Sequence, residues 1–160
     1  MSKRTRTSGP YRRPSVDTDP KSGKQPFRVL PRLDDANRHY WTGGEHGELR
    51  ILRCGTCGTW VHPPAPICPS CRGRSLAPAA TSGRAVLHTY TVNRQPWYPG
   101  LEPPYVVGIV ELPEQAGLRL TAGIVGVDPA GVRIGMPLRV VFERYEDVWL
   151  PFFEPEPGRV

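Results

Sequence analysis

The sequence has no apolar run that approaches the roughly 20 residues needed to span a bilayer. Its N-terminus is basic but lacks the apolar core of a secretory signal peptide. These two absences argue against a membrane-spanning or exported protein, so we expect a cytoplasmic location. Because that compartment keeps thiols reduced, we expect the cysteines to be free or metal-bound rather than joined in disulfides.

Residue patterns that would carry catalysis are also absent. The sequence contains no Ser-His-Asp set, no glycine-rich phosphate loop and no motif that pairs an acid with a base. His46, His62 and His88 are single histidines with no obvious nucleophile or carboxylate partner in the sequence. We therefore predict no catalytic residue, and we do not expect the chain to be an enzyme on its own.

Long helices are not expected, since the 160 residues include 20 prolines and 17 glycines. Residues 1–25 are rich in Ser, Thr, Pro, Gly, Lys and Arg, and they have too few apolar side chains to offset the entropy of folding. We predict a disordered basic tail there. It is either a solvated extension or an arm that binds nucleic acid.

Residues 26–47 are predicted to form a short helical segment. Asp34 or Asp35 can cap the N-terminus of a helix, because a carboxylate accepts hydrogen bonds from the free N–H groups of the first turn. Gly43 and Gly44 are predicted to end it, since glycine adopts the left-handed conformation without a steric penalty.

The four cysteines form two Cys-x-x-Cys pairs, at Cys54, Cys57, Cys68 and Cys71. A zinc ion in a structural site takes four thiolates in a tetrahedron, and each pair aims two sulfur atoms at one point. Gly58 permits the tight turn after the first pair. We predict a zinc ribbon over residues 48–80 with one structural zinc per chain. Four cysteines would leave no open coordination position for a catalytic water, and His62 is not needed as a ligand.

From residue 81 to 155 the pattern is all β, with residues 156–160 as a short tail. Five strands are predicted with no convincing helix between them, at Gly83–Arg94, Pro104–Leu112, Gly117–Val127, Leu138–Tyr145 and Val148–Pro155. Five strands that close on themselves indicate a small barrel of the OB type, whereas an immunoglobulin-like sandwich would need about seven. The predicted fold class is therefore mainly β, with a short N-terminal helix, a zinc ribbon and a five-stranded OB barrel.

The order of these motifs carries a resemblance over Arg32 to Pro155. The paired cysteines, "SGRAVLHTYTV", "PYVVGIVEL" and "VRIGMPLRVVFE" together resemble the acyl-CoA-associated OB-fold family with an N-terminal rubredoxin-like zinc ribbon, long called a domain of unknown function. The resemblance implies a non-catalytic subunit that binds a thiolase-like or lipid-transfer-protein-like aldolase. It further implies CoA thioesters as substrates at the interface, and a partner that shortens steroid side chains.

Two aromatic segments are candidate contacts for such a partner or for a CoA channel. Tyr40 and Trp41 would give the short helix an apolar face, which either binds a partner or packs on the protein's own core. The proline-rich loop after the first barrel strand carries Trp97 and Tyr98, and Arg94 beside them could meet a phosphate. That loop is either a functional contact or a stiffened connection.

Nucleic-acid binding is the alternative function, since zinc ribbons, OB barrels and basic tails all occur in such proteins. OB-fold proteins of that class usually interleave aromatic residues with Lys and Arg on the barrel face. The predicted strands here carry few Lys or Arg. We therefore do not expect nucleic acid to be the partner.

Overall fold

The computed structural model describes residues 29–97 and 101–158. The predicted tail at residues 1–25 and the candidate contact Tyr98 lie outside the described residues. The elements in chain order are α1 Arg38–Thr42, 3-10 turn Gly43–His46, β1 Arg50–Cys54, β2 Trp60–Val61, β3 Leu76–Ala80, β4 Arg84–Asn93, β5 Tyr105–Glu111, β6 Arg119–Ile124, 3-10 turn Pro129–Gly131, β7 Pro137–Tyr145 and β8 Val148–Pro155. No helix within this described part is long and apolar enough to cross a membrane. The predicted fold class, mainly β with a short helix, a ribbon and a five-stranded barrel, is confirmed.

The turn before α1 is capped by an aspartate, as the sequence indicated, but the cap lies outside the helix. The Asp34 carboxylate accepts hydrogen bonds from the backbone N–H groups of Ala36 and Asn37, both at 2.9 Å. Asn37, the N-cap residue directly before α1, makes no capping hydrogen bond with its side chain. The aspartate therefore fixes the chain that leads into the helix.

α1 ends directly before Gly43, as predicted, but the predicted left-handed glycine is not what ends it. Gly43 has right-handed helical angles, φ −60° and ψ −29°, and the chain continues into a 3-10 turn that ends at left-handed Gly47, φ 70°. The two buried glycines serve close packing instead. A Cβ atom on Gly44 would lie 2.6 Å from both the Phe142 ring and the Trp149 Cβ, so a larger residue would push this turn away from the barrel.

The ribbon is a three-stranded antiparallel sheet in the order β2-β1-β3. β1 lies in the middle and pairs Leu52 with Val61 of β2 and with Pro78 of β3. β3 was not predicted as a strand, because its alanines and proline have low β propensity. Its pairing along the whole of β1 supplies the stabilisation that propensity does not.

The barrel closes in the order β4-β5-β6-β8-β7. Every neighbouring pair is antiparallel except β6 with β8, which are parallel. Buried residues alternate with more exposed ones along β5 and β6, as expected for strands with one face on the core. The turn between these two strands contains left-handed Gly117, φ 77°.

The ribbon and the barrel share one hydrophobic core. Tyr40 of α1, with Leu49 and Ile51 at the start of the ribbon, belongs to the same buried cluster as barrel residues such as Leu87 and Phe153. Ile51, Leu87 and Phe153 are fully buried. The helix and the first ribbon strand therefore close one end of the apolar interior, and the two domains pack as one body.

Candidate metal centre and contact surfaces

The two Cys-x-x-Cys turns have the same backbone hydrogen bonds. The Cys54 N–H donates to the Thr59 carbonyl at 2.8 Å, and the Cys68 N–H donates to the Gly73 carbonyl at 2.9 Å. One residue after each pair, the chain turns through a positive φ, 76° at Gly58 and 63° at Arg72. The repeat gives two matching turns that face one another.

The four sulfur atoms come together at one point. All four Sγ atoms lie within 4.8 Å of one another, and the Cys54–Cys71 and Cys57–Cys68 pairs are 3.6 Å apart. A zinc ion with bonds of about 2.3 Å to four thiolates sets the sulfur atoms roughly 3.8 Å apart in a tetrahedron. A disulfide would need about 2.05 Å, and all four cysteines are free. The donor set therefore fits zinc.

Hydrogen bonds favour the thiolate form that a metal requires. The Thr59 side chain and its backbone lower the pKa of the Cys57 thiol to about 6, with the two side-chain atoms 3.2 Å apart. Backbone N–H groups of Cys57 and Thr56 lower the pKa of Cys54. Both shifts have the same physical cause, since a donated hydrogen bond stabilises the anion.

Hydrogen bonds from the protonated Cys71 thiol to neighbouring sulfur atoms act in the opposite direction. The Gly73 N–H lies 3.4 Å from its sulfur and favours the anion, but the neighbouring Cys57 and Cys54 sulfurs outweigh it and raise the pKa of Cys71 to about 12. Four thiolates at these distances need a cation between them. Cys54 and Cys68 are buried while Cys57 and Cys71 face solvent, so the site lies at the edge of the ribbon.

Tyr40 and Trp41, the first pair of candidate contacts, differ in exposure. Tyr40 is only 6% exposed and belongs to the shared core, so its ring is not available to a partner in this structure. Burial raises the pKa of its hydroxyl to about 12. Trp41 is half-buried and meets Tyr40 edge-to-face, with the ring centroids 4.7 Å apart. Of the two, Trp41 alone keeps an accessible surface, and its contact with a partner stays a prediction.

The second candidate region follows β4. Trp97 is 65% exposed, and its indole N–H donates to the Asn93 side-chain oxygen at 3.0 Å. That bond holds a large aromatic ring in solvent in one orientation. Arg94 is also exposed, whereas Tyr98 lies beyond the described residues. The two described side chains form an aromatic and cationic surface at this end of β4.

Two long-range contacts had no signal in the sequence. The Gln115 side chain accepts a hydrogen bond from the Trp60 N–H at 2.9 Å and donates one to the Trp60 carbonyl at 3.2 Å, which joins the β5–β6 turn to the ribbon. His62 is not in the metal cluster, and its ring packs 5.1 Å from the Tyr40 ring. Burial, with a smaller contribution from the charge of His39, lowers the pKa of His62 to about 4.

Comparison with known proteins matches both parts of the chain. Residues 41–77 match the model of the ChsH2 rubredoxin-like zinc ribbon domain, and residues 79–143 match the ChsH2 C-terminal OB-fold domain. A DUF35 domain-containing scaffold protein of Methanocaldococcus jannaschii is 38% identical over 98 residues, which are 60% of this chain and 68% of that protein.

Two further relatives are named as enzyme components. The 3-oxo-4,17-pregnadiene-20-carboxyl-CoA hydratase alpha subunit of Mycobacterium tuberculosis is 35% identical over 117 residues, 73% of this chain and 37% of that subunit. The chain spans less than half the length of the curated hydratase alpha subunits that it matches. The solved Ltp2-ChsH2(DUF35) aldolase contains a chain that is 34% identical with a TM-score of 0.72, over 79% of this chain and 98% of that one. With a matching ribbon, a matching barrel, and 68% of the scaffold protein and 98% of the aldolase chain covered, the chain belongs to the DUF35 family.

Proposed function

We propose that the chain is a non-catalytic subunit that binds a thiolase-like aldolase and supports its chemistry on CoA thioesters. The observation that carries the proposal is the likeness to the Ltp2-ChsH2(DUF35) aldolase, because nearly the whole of the compared chain is covered at 34% identity. The names of other relatives, a scaffold protein and two hydratase alpha subunits, also describe components of larger assemblies.

The chemistry of the chain's own residues is consistent with a non-catalytic role. All four cysteines of the sequence converge on one metal position, so every thiol is committed to the ribbon. A zinc ion held there would stabilise the fold, because four protein ligands complete its coordination. The task of the chain would then be to present rigid surfaces to its partner.

We further propose that Trp97 and Arg94 contact the partner or the CoA thioester. An exposed indole that is already held by a hydrogen bond loses little conformational entropy when it is covered. The neighbouring guanidinium would pair with a phosphate or a carboxylate. The half-buried Trp41 is a third candidate, on the α1 side of the molecule.

Reconstitution tests the proposal. The purified chain is mixed with a thiolase-like aldolase, the complex is isolated by gel filtration, and cleavage of CoA thioesters is followed with each protein alone and with both. We expect turnover when both proteins are present and none with this chain alone. Turnover by the chain alone, or no complex with any thiolase-like aldolase, would overturn the proposal.

The nature of the acyl group is the finer part of the proposal. We propose a steroid side chain, supported by the name of the pregnadiene-carboxyl-CoA hydratase relative. The same complex is given steroid and straight-chain acyl-CoA substrates, and the kcat/KM values are compared. Equal or higher values for straight chains would refute the steroid substrate and leave the partner role intact.

Substitution of Trp97 separates a contact from a structural role. Because its side chain is largely exposed, Trp97→Ala should leave the melting temperature nearly unchanged. Loss of an interface hot spot costs at least about 2 kcal/mol, so the Kd for the aldolase should rise about thirtyfold. Trp97→Phe keeps an aromatic ring without the N–H and serves as the control, with a smaller effect. An unchanged Kd for Trp97→Ala would show that the loop is only a connection.

A further inference from the structure

One row of side chains crosses the outside of the barrel in register. Arg119 of β6 lies opposite Glu111 of β5, and Glu111 lies opposite Val86 of β4. Two residues back along β4, Arg84 lies opposite Arg139 of β7. Residues directly opposite in antiparallel strands share a face, so these side chains form one surface, which we call the outer barrel face.

The ion pairs of the outer barrel face expose their cations and cover their carboxylates. Arg139 donates to Glu154 at 2.7 Å, with the arginine side chain 51% exposed and the glutamate side chain 11%. Arg84 pairs with Glu156 at 3.2 Å, with exposures of 59% and 16%. Arg119 and Glu111 follow the same order at 2.7 Å. Each carboxylate uses only one or two of the five N–H donors of its guanidinium, and the arginine side chains are about half exposed.

An apolar cleft of about 540 Å³ borders this surface at Val86 and Glu111. Its floor is the buried pair Leu87 and Leu112, and its sides include Val86 and Ile134. Ile134 is 66% exposed and Val86 is 46% exposed, and both belong to the few exposed large apolar side chains among the described residues. The polar side chains of the lining are His88 and Glu111, and Glu111 holds Arg119 on the outer barrel face beside the cleft. An apolar centre with polar groups at its edge is the composition of a protein interface.

We propose that the outer barrel face binds the aldolase partner, through a partner segment that inserts an apolar side chain into the cleft and places carboxylates on the arginines of the neighbouring row. The proposal rests on the proposed function for the identity of the partner. Charge complementarity determines the chemistry of the segment, since guanidinium groups with free donors on a rigid sheet match carboxylates in bidentate geometry.

The pairing of charges argues against a polyanion as the occupant. Nucleic-acid affinity depends on cations that neutralise many phosphates, and the three arginines of the row already pair with three carboxylates of this chain. The exposed isoleucine and valine would gain nothing from a phosphate backbone, whereas an inserted apolar side chain would remove both from water.

The test uses the aldolase and surface variants of the full chain. Ile134→Glu places a carboxylate at the rim on a side chain that is mostly in solvent, so the unfolding transition should be unchanged. We expect the Kd for the aldolase to rise at least about thirtyfold. Ile67→Glu is the matched control on the ribbon, where the isoleucine is 37% exposed, and its Kd should change less than about threefold. Val86→Thr keeps the β-branched shape and should give an intermediate loss.

Each outcome is decisive. If the wild-type chain binds the aldolase and Ile134→Glu binds equally well, this proposal is wrong while the proposed function stands. If the wild-type chain binds no thiolase-like aldolase, both fail. A duplex DNA fragment is tested in parallel, and weaker DNA binding by Ile134→Glu with unchanged aldolase binding would assign the face to nucleic acid and overturn the proposal.

Discussion

Gln115 adds two hydrogen bonds between the barrel and the ribbon to the core that they share, and replacing it should lower the stability of the fold. Its amide pairs with both the N–H and the carbonyl of Trp60, much as a neighbouring strand would. Gln115→Ala removes both hydrogen bonds. Each is worth about 0.5–1.5 kcal/mol net, so we expect a loss of about 2 kcal/mol in the free energy of unfolding, reduced where water reaches the half-buried Trp60 backbone.

Gln115→Glu gives a sharper test, since a carboxylate can accept the Trp60 N–H but cannot donate to the Trp60 carbonyl. At neutral pH its second oxygen would face the carbonyl oxygen, so we expect this variant to be at least as unstable as Gln115→Ala. The repulsion raises the pKa of the new carboxyl in the folded state. Protonation restores a donor, so the deficit relative to Gln115→Ala should shrink as the pH falls toward and below about 4.3, the ordinary value for Glu.

Urea unfolding followed by tryptophan fluorescence measures these free energies, and hydrogen exchange at the Trp60 amide reports the contact directly. Gln95→Ala, at an exposed glutamine in the β4–β5 loop, is the matched control and should be neutral. The argument fails if Gln115→Ala changes the free energy of unfolding by less than about 0.5 kcal/mol. It also fails if the Trp60 amide exchanges at the wild-type rate in the variant.

Three further predictions concern the ribbon and its packing. Elemental analysis should find one zinc per chain, and Cys54→Ser should lose the metal and unfold the ribbon; normal folding without metal would contradict this. Arg72→Gly relieves about 1–2 kcal/mol of left-handed strain but adds entropy to the unfolded chain, so the melting temperature should rise or stay unchanged. Gly58→Ala places a side chain on a residue with positive φ and should lower the melting temperature. The pKa of His62 is lowered to about 4 in the folded chain, so the unfolded chain binds a proton more readily than the folded chain between pH 6.5 and 4. Lowering the pH through this window should therefore reduce the free energy of unfolding, by at most about 2 kcal/mol. His62→Gln should remove this component from urea titrations at each pH, and identical pH profiles would refute it.

Local patterns predicted the parts of the fold that depend on local geometry. The spacing of Cys54 and Cys57 is read directly from the chain, and Gly58 follows at the position where the turn needs a positive φ. Alternation along β5 likewise reports which face of the strand is buried. These features require only the backbone within a few residues.

Contacts between distant segments could not be predicted in this way. Gly43 and Gly44 have the composition of a helix end, but Phe142 and Trp149, which require the small size of Gly44, lie about a hundred residues further along. Gln115 looks like an ordinary turn residue until the fold brings Trp60 to it. The sequence gives Tyr40 two interpretations for the same reason, because an aromatic face on a helix is the same signal whether a barrel or a partner covers it.

The shared core links the metal to surfaces that it does not touch. Leu49 and Ile51 are buried against the barrel, and β1, which contains Ile51, ends at the metal ligand Cys54. A ribbon that unfolds without zinc would therefore uncover one end of the barrel core and weaken the sheet that holds the outer barrel face and Trp97. Metal loss should reduce partner binding together with stability, whereas substitutions of Trp97 or Ile134 should reduce binding alone. That difference separates a structural role for the metal from a direct one. If the zinc ion contacted the partner, its loss would reduce affinity even in a variant whose barrel stays folded.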